Sequence, residues 1–157
     1  MKKLLLGLLL GTSTLHAAEN LKFTGTLLDP PTCVINNDKT IEIDFSKVAI
    51  DKIDGSNYMQ PVMFNAVCSQ VPKGCGLELK ITISGTATDF DPAAIETDVG
   101  GLGIKLLQNG KSFTIGQTLT IDPLAMPLIQ AVPVKKSGAS LQEGGFEAWA
   151  TLQLEFQ

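Results

Sequence analysis

Apolar and polar residues alternate with a period of two along much of this chain, and a period near 3.6 hardly occurs. In 39–45 the row Ile41, Ile43, Phe45 is separated by Glu42 and Asp44; in 77–83 the row Leu77, Leu79, Ile81, Ile83 is separated by Glu78, Lys80 and Thr82. Successive side chains of an extended strand point to opposite faces, so each row predicts a half-buried strand. Further strands are expected at 21–28, 61–68, 102–107, 113–121, 128–134 and 146–156, parted by the turn-forming clusters 36–38, 54–57, 108–110 and 136–138. So many short strands predict a β-sandwich or barrel. One helical turn is expected at 92–96, with Pro92 as its first residue and Asp91 as its cap, inside the longest loop, 89–101.

The final segment is the most regular. Phe146, Ala148, Ala150, Leu152, Leu154 and Phe156 form one apolar row, and Trp149 alone breaks the polar row of Glu147, Thr151, Gln153 and Glu155. This predicts a core strand that runs to the penultimate residue, with no sequence after it to form a strand alongside. Near the other end, Leu21, Phe23, Gly25 and Leu27 share one face of an extended segment. The general expectation for such a pair is the first and last strands of one closed sandwich.

The opening residues read as an export address. Lys2 and Lys3 precede a mostly apolar stretch, 4–10, and small or polar residues then lead to Ala17 and Ala18, the pattern of a secretory signal. The apolar stretch is too short to span a bilayer. Cleavage after Ala17 is expected, with cleavage after Ala18 as the alternative; the first choice leaves 140 residues.

Composition then narrows the function classes. The chain carries 12 Lys and Arg against 16 Asp and Glu, and every basic residue is lysine. A basic excess that would favour nucleic acid or an anionic membrane is missing, as are bidentate arginine clamps for phosphate. The one histidine, His16, departs with the signal. Histidine-based nucleophilic catalysis and histidine-containing zinc sites are therefore excluded for the exported chain. Of the cysteines Cys33, Cys68 and Cys75, two should pair in an oxidising compartment. Loop-closure entropy does not separate Cys33–Cys68 from Cys33–Cys75, each worth about 4 kcal/mol, but it disfavours the short Cys68–Cys75 loop. Cys68 ends an apolar run, whereas Cys75 sits in a turn-like stretch, which favours Cys33 with Cys68 and leaves Cys75 a free thiol.

Three smaller signals carry little. Gly110-Lys111-Ser112 has the end of a phosphate loop, but Lys105 occupies the position of the required earlier glycine, and Asn109-Gly110 between apolar runs is a hairpin turn. The acids Asp89, Asp91, Glu96 and Asp98 lack calcium-loop spacing. Trp149, on the outer face of the last strand, could stack on a sugar or meet a neighbouring surface.

Several segments together resemble the pilin subunits of chaperone-usher fimbriae of Gram-negative bacteria. They are Phe23-Thr24-Gly25-Thr26-Leu27 followed by Cys33, the second cysteine Cys68, the mid-chain run 101–107, and the ending from Gly144-Gly145-Phe146 to Phe156-Gln157. Gly144 is fourteenth from the end and Phe156 is a penultimate aromatic, the most specific part of the match. The resemblance covers the chain after the signal. It implies an all-β fold, an incomplete immunoglobulin-like sandwich lacking its seventh strand, completed in trans by a donor strand. It divides the chain into a signal at 1–17, a donor extension at 18–28 and a pilin domain at 29–157. Donor residues would be Leu21, Phe23, Gly25 and Leu27; the acceptor strand would present Gly144, Phe146, Ala148, Ala150, Leu152, Leu154 and Phe156. The implied partners are a periplasmic chaperone, an outer-membrane usher and neighbouring subunits, with the product passing through the periplasm to the cell-surface fimbrium. Phe156 replaces the family's usual tyrosine, and Cys75 is an addition. The short extension before Phe23, and the stretch 36–45, resemble minor adaptor or tip-fibrillum subunits of P-pilus-like fimbriae.

The expected function is thus structural, with no catalytic residue, metal, cofactor, nucleic acid or small-molecule substrate. A small secreted carbohydrate-binding sandwich is the alternative, and an enzyme would have to rely on carboxylates alone.

Overall fold

In a computed structural model, the residues described are 21–27, 29, 31–69, 77–122 and 125–157. Among the described residues, two single 3-10 turns, Asn36–Asp38 and Ile50–Lys52, accompany ten strands: β1 Cys33–Ile35, β2 Gln60–Pro61, β3 Ala66–Cys68, β4 Leu79–Gly85, β5 Ala94–Glu96, β6 Leu102–Gln108, β7 Lys111–Ser112, β8 Thr118–Ile121, β9 Ile129–Lys135 and β10 Ala150–Phe156. One sheet has the order β2-β9-β6-β5 with β7 attached to β6, a second has the order β10-β4-β8, and β1 pairs with β3 in a separate ribbon. All pairings are antiparallel. The architecture is an immunoglobulin-like sandwich with an open side.

The alternating rows build its interior. Ile83 from β4, Ile95 from β5, Ile104 and Leu106 from β6, and Ile129 and Ala131 from β9 meet Phe113 in the main core. Leu79 and Ile81 meet Ile121 and Phe156 in a second cluster, against which the Cys33 and Cys68 side chains pack. The disulfide joins Cys33 to Cys68 at directly opposed positions of the β1–β3 ribbon. Cys75 and the signal residues lie outside the described residues.

Turn chemistry follows the sequence closely. Asn109 and Gly110 both adopt positive φ, 49° and 77°, as a two-residue turn between β6 and β7 requires. Asn36, Asn37 and Asp38 form a short left-handed turn after β1, at residue types that tolerate that conformation. Gly103 is required for a different reason: a Cβ there would stand 2.7 Å from Thr88 Cγ2 and 3.2 Å from the Ile95 carbonyl oxygen. Pro133 is buried in β9 without breaking the sheet, because the pairing of residues 60–62 along that edge of β9 ends at Ala131, so the N–H that proline lacks has no described strand opposite it.

Several expected elements differ, four of them away from the chain's ends. The helical turn at 92–96 is a capped turn followed by β5. Asp91 Oδ1 accepts the Ala93 N–H at 2.9 Å as a cap would, but Ile95 is then drawn into the core, and 94–96 bonds to β6 on one side and to Thr86 and Thr88 on the other. The run 113–121 keeps only its second half as a strand, because Gly116, at φ 80°, turns the chain from one sheet to the other. The run 61–68 is divided between β2 and β3, each with a different partner. Segment 39–45 is extended, with Ile41, Ile43 and Phe45 half-buried and the residues between them exposed, yet it pairs with no described strand.

Closing the 35-residue separation between Cys33 and Cys68 restricts the unfolded chain by about 4 kcal/mol. Cys33→Ala should lower the urea midpoint accordingly, as read by fluorescence-monitored unfolding of the protein with its open side filled by a bound strand. A second expectation concerns Asp91. Burial raises its pKa, but the Lys105 ammonium at 2.9 Å and the Ala93 N–H outweigh that and hold it below the usual carboxylate value. The stabilisation is present above the unfolded-state pKa and lost as pH falls through the depressed folded value. Asp91→Asn should therefore destabilise the protein at neutral pH, with the difference from wild type shrinking in urea titrations repeated towards acid pH.

Candidate functional site: a groove one strand wide

Strand β10 is paired on one side only. The backbones of Glu78 and Gln157 exchange both hydrogen bonds, at 2.8 and 3.0 Å, and the register then makes Glu155, Gln153 and Thr151 the bonded positions facing β4. The N–H and C=O groups of Ala150, Leu152, Leu154 and Phe156 consequently point to the other edge, where no described strand lies. Across that edge runs the unpaired segment 39–45. Between them a groove of about 1690 Å³ opens onto the main core.

One lip is formed by 38–51 and Ile53, the other by 141–152. The floor is apolar and comes from both sheets: Val62, Ile83, Ile95, Ile104, Leu106 and Ala131. Lys135 Nζ donates to the Ile50 carbonyl oxygen at 3.4 Å and ties the first lip to β9. The turn at 54–57 follows the same lip, to which Asn57 Nδ2 donates at the Lys52 carbonyl oxygen at 3.0 Å; within it Asp54 Oδ1 accepts the N–H groups of Asn57 and Ser56, both at 2.8 Å, and these bonds lower the Asp54 pKa. At one end the lips touch, with the rings of Phe45 and Phe146 6.1 Å apart. The rim carries more acids, including Glu42, Asp44, Asp51, Glu143 and Glu147, than lysines, Lys39, Lys47 and Lys135.

The predicted acceptor row is divided by this geometry. Gly144, Phe146, Ala148, Ala150 and Leu152 line the groove. Leu154 and Phe156 do not; they pack into the second cluster with Leu79 and Ile81, where the sandwich is closed, so the groove spans only the first part of the row. β10 itself begins at Ala150, and Ala148 instead bridges to Thr97. The opposite lip, Ile41, Ile43 and Phe45, was legible as a row of half-buried residues but not as a groove wall, because nothing in a single strand's pattern says whether its edge is paired.

Segment 21–27 forms no strand and packs nowhere on its own domain. Leu21, Phe23 and Leu27 are 73%, 85% and 101% exposed, and a Cβ on Gly25 would meet nothing within 4 Å. The closed-sandwich expectation, with this segment as an intrinsic first strand, does not describe the chain. Trp149 is exposed beside a shallow pocket with Thr86, Glu96, Asp98 and Glu147, whereas the four acids of 89–98 do not converge. Asp89 pairs with Lys136, Asp91 with Lys105, and Asp98 Oδ1 accepts the Glu147 N–H. Among the described residues no cluster suited to a metal gathers.

An immunoglobulin-like sandwich lacking one strand, with a core-deep cleft along its last strand, is the fold of pilin subunits. The chain belongs to the fimbrial protein family, whose match covers residues 21–157. It is 42% identical to the fimbrial-like protein YfcQ of Escherichia coli K12 over the whole of both chains. It is 29% identical to the fimbrial-like protein YfcR of the same strain, over 82% of this chain and 75% of that one. Among solved structures it is similar to the P pilus adaptor subunit PapF, with a TM-score of 0.58 at 22% identity over 82% of this chain and 98% of that one. It is likewise similar to the P pilus rod subunit PapA, with a TM-score of 0.61 at 24% identity over 88% of this chain and all of that one. The protein is a fimbrial subunit and not an enzyme.

Since Leu154 belongs to the closed end, Leu154→Ala should cost about 2 kcal/mol of stability whatever occupies the groove. Urea unfolding of the variant and of the wild type, each with two different strands bound in the groove in turn, checks this: an equal loss with both strands is expected.

Proposed function

We propose that this protein is a structural subunit of a chaperone-usher fimbria that polymerises by donor-strand complementation. The observation that carries the reading is a match within one chain: a groove lacking a strand, and an exposed strand-like segment lacking a groove. Leu21 to Leu27 spans six residue steps, as does Phe146 to Leu152, roughly 20 Å in each case. Four positions of the segment, Leu21, Phe23, Gly25 and Leu27, would face four lining positions, Phe146, Ala148, Ala150 and Leu152. Burying the three large side chains is worth roughly 5 to 9 kcal/mol before ordering costs, comparable with the stability of a whole domain. Backbone bonds to the free edge of β10 set the register. Lys22, the one charge in 21–27, would approach the acidic rim, which favours encounter.

A periplasmic chaperone fills the groove first in this reading and an outer-membrane usher directs the exchange, so the subunit passes through the periplasm to the surface fimbrium. Gly25 supports the donor role: it has open space on its own domain, so only a surface met elsewhere can require a missing side chain there. The short extension before Phe23 supports a minor or adaptor position, which immunogold microscopy of purified fimbriae tests.

Two variants separate the halves of the reading. Phe23→Asp should leave the chaperone complex intact but prevent insertion into another subunit, whereas Leu152→Asp should abolish occupation of the subunit's own groove, and Gln153→Asp, facing outward, should not. Native mass spectrometry of exchange reactions with a synthetic 18–28 peptide reads both. Expressed in a periplasm without chaperone, the chain should aggregate, and appending residues 18–28 after Gln157 through a flexible linker should rescue a monomer. A soluble, cooperatively unfolding monomer of the unmodified chain would refute the proposal.

A further inference from the structure

Apart from the 21–27 segment, the large apolar side chains exposed on the described domain are Val34, Met63, Val67, Met126, Leu128 and Trp149. Four of these, Val34, Met63, Val67 and Leu128, belong to one surface. Val34 stands directly opposite Val67 in the β1–β3 ribbon. The Val62 N–H donates to the Ile129 carbonyl oxygen at 2.9 Å, in register with the β2–β9 pairs, which brings Met63 opposite Leu128. Along 61–67 the even-numbered side chains turn towards the interior, and Pro61, Met63, Asn65 and Val67 face out without a charge among them. Met63 and Val67 are 74% and 59% exposed, and the stripe they define is roughly 13 Å long.

The stripe begins where the N-terminal segment leaves the domain. Leu27 lies six residues before Cys33, so a body gripping 21–27 is held within at most about 21 Å of the ribbon. At that distance the tethered body is at an effective concentration high enough for a small apolar contact to form. The disulfide between Cys33 and Cys68 makes the ribbon a stiff platform for it.

We infer that the Val34–Met63–Val67 stripe is a docking surface for the body of the adjacent subunit, the one whose groove holds this chain's 21–27 segment. This contact, which rests on the donor-strand reading, sets the angle between successive subunits that the strand alone would leave loose. An uncharged apolar face suits another subunit of this fold better than a charged ligand.

Met63 reports on its own surface. Peroxide oxidation of Met63, followed by peptide mass spectrometry, should slow several-fold when the 21–27 segment of the full chain is inserted into a second subunit, relative to the same chain in its chaperone complex. Met59, which is half-buried and accepts a bond from Gln130, is the internal control and should not change. Met63→Lys with Val67→Lys should still insert, but small-angle scattering of the two-subunit complex should show a wider spread of angles. Insertion without protection of Met63 overturns the inference while leaving the donor-strand reading intact. Protection already present in the chaperone complex assigns the stripe to the chaperone and also overturns it, as does protection that appears only when filaments associate sideways. Failure of the 18–28 peptide to enter any groove overturns the donor-strand reading, and this inference with it.

Discussion

A β-sandwich protects its backbone by pairing strands and its core by covering both faces, and along the outer edge of β10 no described strand does the pairing. Four residues of that strand direct backbone groups at this edge, and on the same side of the molecule lies a groove whose floor includes Ile83, Ile104 and Leu106, themselves largely buried. Unpaired edges and uncovered apolar surface are costly in water and invite association. The remaining design is a way of containing that cost. The disulfide and the second cluster close one end, Lys135 and the Asp54 turn hold the far lip in place, and the Phe45–Phe146 contact narrows the opening.

The closed end and the open side divide β10 between two tasks. Its last residues, Leu154 and Phe156, stabilise the domain through Leu79 and Ile81, while Leu152 and the residues before β10 line the cleft. A single alternating row therefore serves stability at one end and, in the proposed assembly, would receive a partner's strand at the other. Substitutions along it are expected to differ in kind, since an interior contact acts on folding and a groove contact acts on what the groove accepts.

In the proposed assembly, an acidic rim and a donor segment with one lysine would give a weak, long-range attraction, whereas the alternating apolar side chains would give depth and register. Selectivity among fimbrial partners would come from the second source. On the inference drawn from it, the exposed stripe beside β1 would add a contact between bodies to the proposed contact between strand and groove, so the geometry of a chain of subunits would not depend on the strand alone.

Most of the strands, the hairpin at Asn109-Gly110, the Cys33–Cys68 pairing and the two extended apolar rows at the chain's ends were legible in the sequence, because side-chain alternation and turn preferences are local properties. The residues 92–96 were misread for the same reason: a local cap at Asp91 is compatible with a helix, and only the cross-sheet burial of Ile95 makes it a strand. Local pattern also could not show that 39–45 is extended yet unpaired, or that the row from Phe146 to Phe156 leaves the groove after Leu152. Pairing and cleft depth depend on what stands opposite, which is a property of chain segments far apart in sequence. The sequence by itself determined which residues alternate, turn and cross-link; the tertiary structure decided which edge stays open, because an edge is open only when every other strand has found a different partner.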